Sequence, residues 1–261
     1  MSLALPEPIL DPLRNSPLRL VVCQVRFEEI LSVTDARVGL NAYELVGGRQ
    51  GPYPIFEQFK GEQLDVRVTP GAPVVATQTP VAGWRMRSAD QAWTIVLLPG
   101  SVALETTAYT TWDADFGPRL DTVIDAAAGA LKPALQLRLG LRYVDVVTRP
   151  GIEHPDQWRG WIADSLLGPI LHPVLGAGVL TTQQQVDLGA GDGIRCTLRH
   201  GSIVESPGGG LAYLLDWDVY DDAAREFDSA ALKESVRRFN RLAVQLFQQA
   251  ITPALFDELR G

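Results

Sequence analysis

The sequence predicts an α+β fold in which a strand–helix–three strands–helix unit occurs twice, and three observations carry that prediction. Short segments of alternating apolar and polar residues recur along the chain. Two long amphipathic helical segments each follow a group of such strands. The pattern then restarts near residue 134 with text that echoes the first strand, Leu141-Arg142-Tyr143 against Val25-Arg26-Phe27. Alternation with period two marks a strand buried on one side, whereas spacings of three and four mark a helix with one apolar face.

The first strand is Leu18–Phe27, with Val21, Cys23, Val25 and Phe27 on one side and Gln24 and Arg26 on the other. A Gly-rich loop, Val46–Gly51, leads to Tyr53–Phe59, read as a short helix opened by Pro54. Strands follow at about Val74–Arg87, Ala92–Leu98 and Val102–Tyr109, with turns at Ser88–Asp90 and Pro99–Ser101. A helix from about Asp115 to Leu131 carries Phe116, Leu120, Val123, Ile124, Ala127 and Leu131 on one face and stops before Pro133.

The second unit opens with the strand Gln136–Val147 and a helix at His154–Ile162, again led by a proline. Three strands at about Thr181–Leu188, Ile194–Val204 and Leu211–Tyr220 follow, with turns at Gly189–Gly193 and Ser206–Gly210. A long helix from about Ser229 to Ala250 and a tail, Pro253–Leu259, close the chain. The halves, about 18–133 and 134–252, each carry a one-sided sheet and an amphipathic helix, so each needs the other to complete a core. The expected product is a single domain over 1–261, with a largely antiparallel sheet and long helices on one face. That arrangement resembles the duplicated saddle of the TATA-binding-protein type, in architecture only.

Composition narrows the function. A chain that is 46% hydrophobic and 261 residues long buries an adequate core without disulfides or metals. Net charge of −8 and a pI near 4.9 disfavour nucleic acid, because gripping phosphates takes the opposite balance. No run approaches the ~18 apolar residues of a membrane span. The N-terminal stretch has no basic and apolar signal pattern, so a cytoplasmic location with no membrane partner is expected. Cys23 and Cys196 lie in apolar strands and read as buried thiols.

There is no GxSxG, GxxxxGK[ST] or suitably placed GxGxxG, and no CxxC, HxxxH or HExxH. No cofactor is expected. His154 reads as a residue opening a helix, His172 as a hydrogen-bonded loop residue, and His200 as a strand-end residue able to meet an anion. Asp216 and Asp218 share a strand face in the i, i+2 arrangement of some metal-dependent hydrolases, with Asp145 or Glu105 as the third acid. The simpler alternative is paired strand-surface acids. Lys233, Arg237, Arg238 and Arg241 read as the solvated face of the last long helix.

The face of the sheet opposite the core is rich in arginine. It displays Gln24, Arg26, Arg85, Arg87, Arg138, Arg142, Gln183, Gln185, Arg195, Thr197 and Arg199. A planar guanidinium suits carboxylates and phosphates. One expectation is therefore a recognition module that binds a protein partner or small anionic ligand there, with a homodimer as one form. The other is a solvated face whose arginines pair with Glu105, Asp145, Asp216 and Asp218.

Several segments together carry a family resemblance. They are Gln24-Val25-Arg26-Phe27, Tyr53-Pro54-Ile55-Phe56, Thr107-Ala108-Tyr109 before Phe116, Leu139–Asp145, Leu215–Tyr220 and Leu246–Thr252. Across nearly its whole length the chain resembles a sporadically distributed bacterial family of proteins of similar size. The resemblance implies no activity, and the family's patchy distribution implies an accessory role linked to mobile elements or defence.

Overall fold

A computed structural model describes residues 3–67, 75–205 and 209–261. In the first half β1 (Leu18–Phe27) and α1 (Ala36–Leu45) precede β2 (Ile55–Arg67), β3 (Val75–Arg87), β4 (Trp93–Leu98), β5 (Ser101–Thr106) and α2 (Gly117–Leu131). The second half runs β6 (Leu135–Thr148), the single turn α3 (Asp164–Leu167), β7 (Gln184–Gly191), β8 (Ile194–Val204) and β9 (Leu211–Asp221). It ends with β10 (Arg225–Glu226), α4 (Ser229–Ala250) and α5 (Pro253–Arg260). Val74 and residues 206–208, which fall within the predicted strand Val74–Arg87 and the last predicted turn, lie outside the described residues.

The strands form one ten-stranded antiparallel sheet in the order β2-β3-β4-β5-β1-β6-β9-β8-β7, with β10 paired to β6. On one face α1 packs against α2 and β3, α2 against α4 and β5, and α4 against β6 and β9. The helix basic set does more than face water. Lys233 and Arg237 reach Asp125 and Asp121 at 2.6 Å and tie α4 to α2. Core residues from both halves form one cluster, from Val21 and Leu120 to Leu215 and Phe239. Cys23 and Cys196 are buried, free thiols within it. Among the described residues no helix is long and apolar enough to cross a membrane.

The first half departs from the predicted order. Tyr53–Phe59 is not a helix: Ile55 begins β2, an edge strand of the sheet, and Pro54 with no N–H to offer the ladder sits just ahead of it. The helix of this half lies upstream as α1, capped by the Asp35 carboxylate, which accepts from Arg37 N at 2.8 Å. Gly39 breaks the helical pattern there, for a packing reason. A Cβ at that position would meet the Trp84 indole at 2.4 Å. That indole in turn donates to Val33 O at 2.6 Å. In the second half the predicted helix shrinks to a 3₁₀ turn, Pro155–Trp158, with His154 as its cap.

Candidate functional site

The sheet has two very different faces. On the uncovered face the register lines up charged side chains from neighbouring strands. Arg142 donates to both carboxylate oxygens of Asp216, from Nε at 2.7 Å and Nη2 at 2.8 Å. Arg199 approaches the same carboxylate at 3.6 Å. Arg138 bonds Asp218 at 2.9 Å and lies over the Tyr220 ring at 4.6 Å. Arg85 and Arg87 share Glu57 at 3.6 and 3.2 Å. Arg195 reaches Asp222 at 3.4 Å.

Of the predicted ligand-binding set, Gln185 is exposed on β7 and donates to Asp187 at 3.4 Å. Gln183 is exposed but lies just before β7 and outside the sheet. Arg26 alone among these arginines has no ion pair or hydrogen bond among the described residues. It is exposed and stands opposite Arg138 on the neighbouring strand. The uncovered face is thus a set of cross-strand ion pairs with one unmatched cation near its middle.

These pairs also bear on the carboxylate reading. Asp216 and Asp218 do share a face, but guanidinium groups engage both. Asp145 cannot join them. Successive residues of β6 point to opposite faces, so Arg142 and Val144 go one way and Tyr143 and Asp145 the other. Among the described residues no cluster of three or more His, Cys, Asp or Glu side chains could hold a metal ion. Glu105 stays on the uncovered face, where burial raises its pKa against the opposing pull of Arg85. His200 is buried too, with Nδ1 3.0 Å from the Tyr213 hydroxyl, and is not available to an anion at a strand end. His172 Nδ1 accepts from Val174 N and Leu175 N at 3.2 and 3.1 Å, a role in the turn.

The covered face holds a cavity of about 520 Å³. Its floor is the Tyr143, Asp145 and Trp217 side chains of β6 and β9, and one wall is α4, through Asn240, Val244 and Phe247. The segment after β5 supplies Tyr109 and Trp112, and α5 supplies Phe256. The N-terminal lead-in closes the remaining side as a strap. Gln248 grips both backbone groups of Ile9, accepting from its N–H at 3.1 Å and donating to its carbonyl at 2.7 Å. Gln245 donates to Pro6 O at 2.8 Å, and Asn15 N donates to Leu259 O at 2.9 Å.

Two polar groups on this floor are left over. Trp217 is buried, and its Nε1–H has no acceptor among the described residues. Asp145 is 6% exposed and its carboxylate has neither a hydrogen bond nor an ion pair among the described residues. Burial, reinforced by the Asp216 charge across the sheet, pushes its pKa up to about 8. Such groups normally find partners, because leaving a buried donor or charge unpaired costs on the order of 1–3 kcal/mol or more. Their neighbours are satisfied. The Tyr143 hydroxyl donates to Asn240 Oδ1 at 2.8 Å, and Tyr109 packs edge-on to the Tyr143 ring at 5.9 Å.

The sequence carried one signal for this site. Along β6 the core-facing positions read Leu139, Leu141, Tyr143, Asp145 and Val147, so an acid interrupts an apolar row. Nothing in the sequence ties Asp145 to Trp112, Asn240 or the lead-in, which only the fold assembles. No protein-family model matches the chain, and no curated protein matches it.

Proposed function

We propose that the protein is a recognition module whose ligand seat is the cavity on the helix-covered face. The observation that carries this is the pair of unpartnered polar groups, Asp145 and Trp217 Nε1, on the floor of an aromatic cavity. Binding sites combine apolar walls with a few convergent polar groups, and this cavity has that composition. Its volume suits a small molecule rather than a peptide or a nucleic acid. The test is titration of the ¹⁵N-labelled protein with 2-phenoxyethanol, a neutral aromatic molecule with oxygen acceptors. The Trp217 indole N–H resonance, assigned by its loss in Trp217→Phe, is expected to move with saturation. Shifts confined to the uncovered sheet face, or none at millimolar probe, would remove the proposal.

A second reading keeps the uncovered face as the recognition surface for a protein partner or anionic ligand. Arg26 is the observation in its favour, being exposed and unmatched opposite Arg138. If Arg26 seats an anion, sulfate raises the Tm of the wild type more than that of Arg26→Ala. An equal rise in both would discard it.

We also read the halves as an internal duplication. The order β6-β9-β8-β7 has its counterpart in β1-β5-β4-β3, which supports a two-fold relation between β1 and β6. The likeness to a sporadic bacterial family supports an accessory binding role, and the two free thiols support a cytoplasmic setting.

A further inference from the structure

The cavity's chemistry narrows what it would hold. Six aromatic side chains border it: Tyr109, Trp112, Tyr143, Trp217, Phe247 and Phe256. Aromatic faces carry negative charge density and attract cations, most strongly where water is excluded. The ionisable groups around the cavity point the same way. Arg237 is matched by Asp121 and Arg241 by Glu7, so neither of the two α4 arginines that line the cavity offers a free positive charge. Asp11 of the strap is matched by Arg260. Asp113 at the rim and Asp145 on the floor are left without a counter-ion among the described residues. Whenever Asp145 ionises its charge is therefore unmatched, and it and the aromatic walls favour a soft cation over an anion.

A neutral ligand would offer Asp145, at best, one hydrogen bond. An anionic ligand would be repelled by the ionised form of that carboxyl and gain no counter-charge from its protonated form. A cationic group is the complement of a buried acid and an aromatic ring set together. Resting on the cavity being the ligand seat, we infer that it takes a small amphipathic molecule bearing an ammonium group. That group sits against the Asp145 carboxylate within the aromatic walls.

This has a pH signature. Asp145 is held protonated up to about 8, first by burial and then by Asp216. An ammonium ligand binds the ionised form, so each event below that value releases a proton and affinity climbs with pH toward 8. The other ionisable groups lining the cavity are Tyr109 and Tyr143, Arg237 and Arg241 from α4, Asp11 from the strap and Asp113, with Asp216 acting from across the sheet. Both tyrosines are pushed up by burial, Tyr109 to about 12, and neither titrates in this window.

The test uses three probes on one skeleton: 2-phenoxyethylamine, 2-phenoxyethanol and phenoxyacetate, titrated calorimetrically into the full chain at pH 6, 7 and 8. The amine is expected to bind at least about tenfold more tightly than the alcohol at pH 8, with phenoxyacetate weakest. Its affinity should rise by up to about tenfold per pH unit between 6 and 8. In Asp145→Asn the amine should lose its advantage over the alcohol and its pH dependence, while an unchanged near-UV circular dichroism spectrum reports an intact cavity. Equal affinities for amine and alcohol, or an unchanged amine in the variant, would overturn the ammonium inference and leave the ligand seat standing. Binding of none of the three would overturn both.

Discussion

The two faces of the sheet hold their charges in opposite ways. The uncovered face is crowded with ionic groups, yet nearly every guanidinium on it is held by an acid, as Arg142 and Arg199 are by Asp216. The covered face holds few, and two of its polar groups, Asp145 and Trp217 Nε1, are left without partners. Density of charge is thus a poor guide to binding, because cross-strand pairs are what an exposed antiparallel sheet does with its polar side. An unmet polar group on the floor of a cavity is the better guide, since the fold tolerates its cost without any return of its own.

The largest effect should come from removing the acid on the covered face. Unfolded, Asp145 loses its proton near pH 3.8; folded, it keeps it to about 8. Between those values the folded state holds more protons, so stability falls as pH rises through the window and levels off above it. The slope from this one group is at most about 1.4 kcal/mol per pH unit. Asp145→Asn removes it. Relative to wild type, the variant should be little changed near pH 4 and more stable at pH 7, by up to about 4 kcal/mol. Urea unfolding at both values checks this, and a variant less stable at pH 7 would mean that Asp145 is matched after all.

Asp216 should behave in the reverse sense. It is buried on the other face and bound by two guanidinium groups, so Asp216→Ala leaves Arg142 and Arg199 without their acid. Both arginines are partly solvated, which trims the cost to about 2 kcal/mol. The same urea experiment reads it, and a neutral outcome would mean that the ladder contributes nothing to stability.

This contrast also explains how much could be read from sequence. Strand periodicity placed β1, β8 and β9 closely, and the apolar stripe of α4 marked its full length, Ser229–Ala250. The alternation that put the arginines on one face was enough to locate them, but not their partners. Pairing depends on register: Arg142 meets Asp216 only because β6 and β9 align Val144 with Asp216 and Arg142 with Asp218. The misread helix at Tyr53–Phe59 has a similar origin. A proline before an aromatic-rich stretch opens a helix or precedes an edge strand equally well, and tertiary pairing with β3 decides. The cavity was least legible, because its walls come from four separate parts of the chain.

Arg26 offers the smallest and sharpest measurement. It is the unmatched cation of the uncovered face, and its strand neighbour across β1 and β6 is another arginine. Removing it deletes no ion pair and relieves a like-charge contact, so Arg26→Ala should change stability by no more than about 0.5 kcal/mol, in either direction. Arg142→Ala is the control, since it does remove a bidentate pair and should cost measurably more. If both variants are equally harmless, the pairs on this face are ornamental and the contrast between the faces weakens. If Arg26→Ala destabilises as much as Arg142→Ala, then Arg26 is held by something on that face. In that case the uncovered surface, rather than the cavity, would be the place to look for a partner.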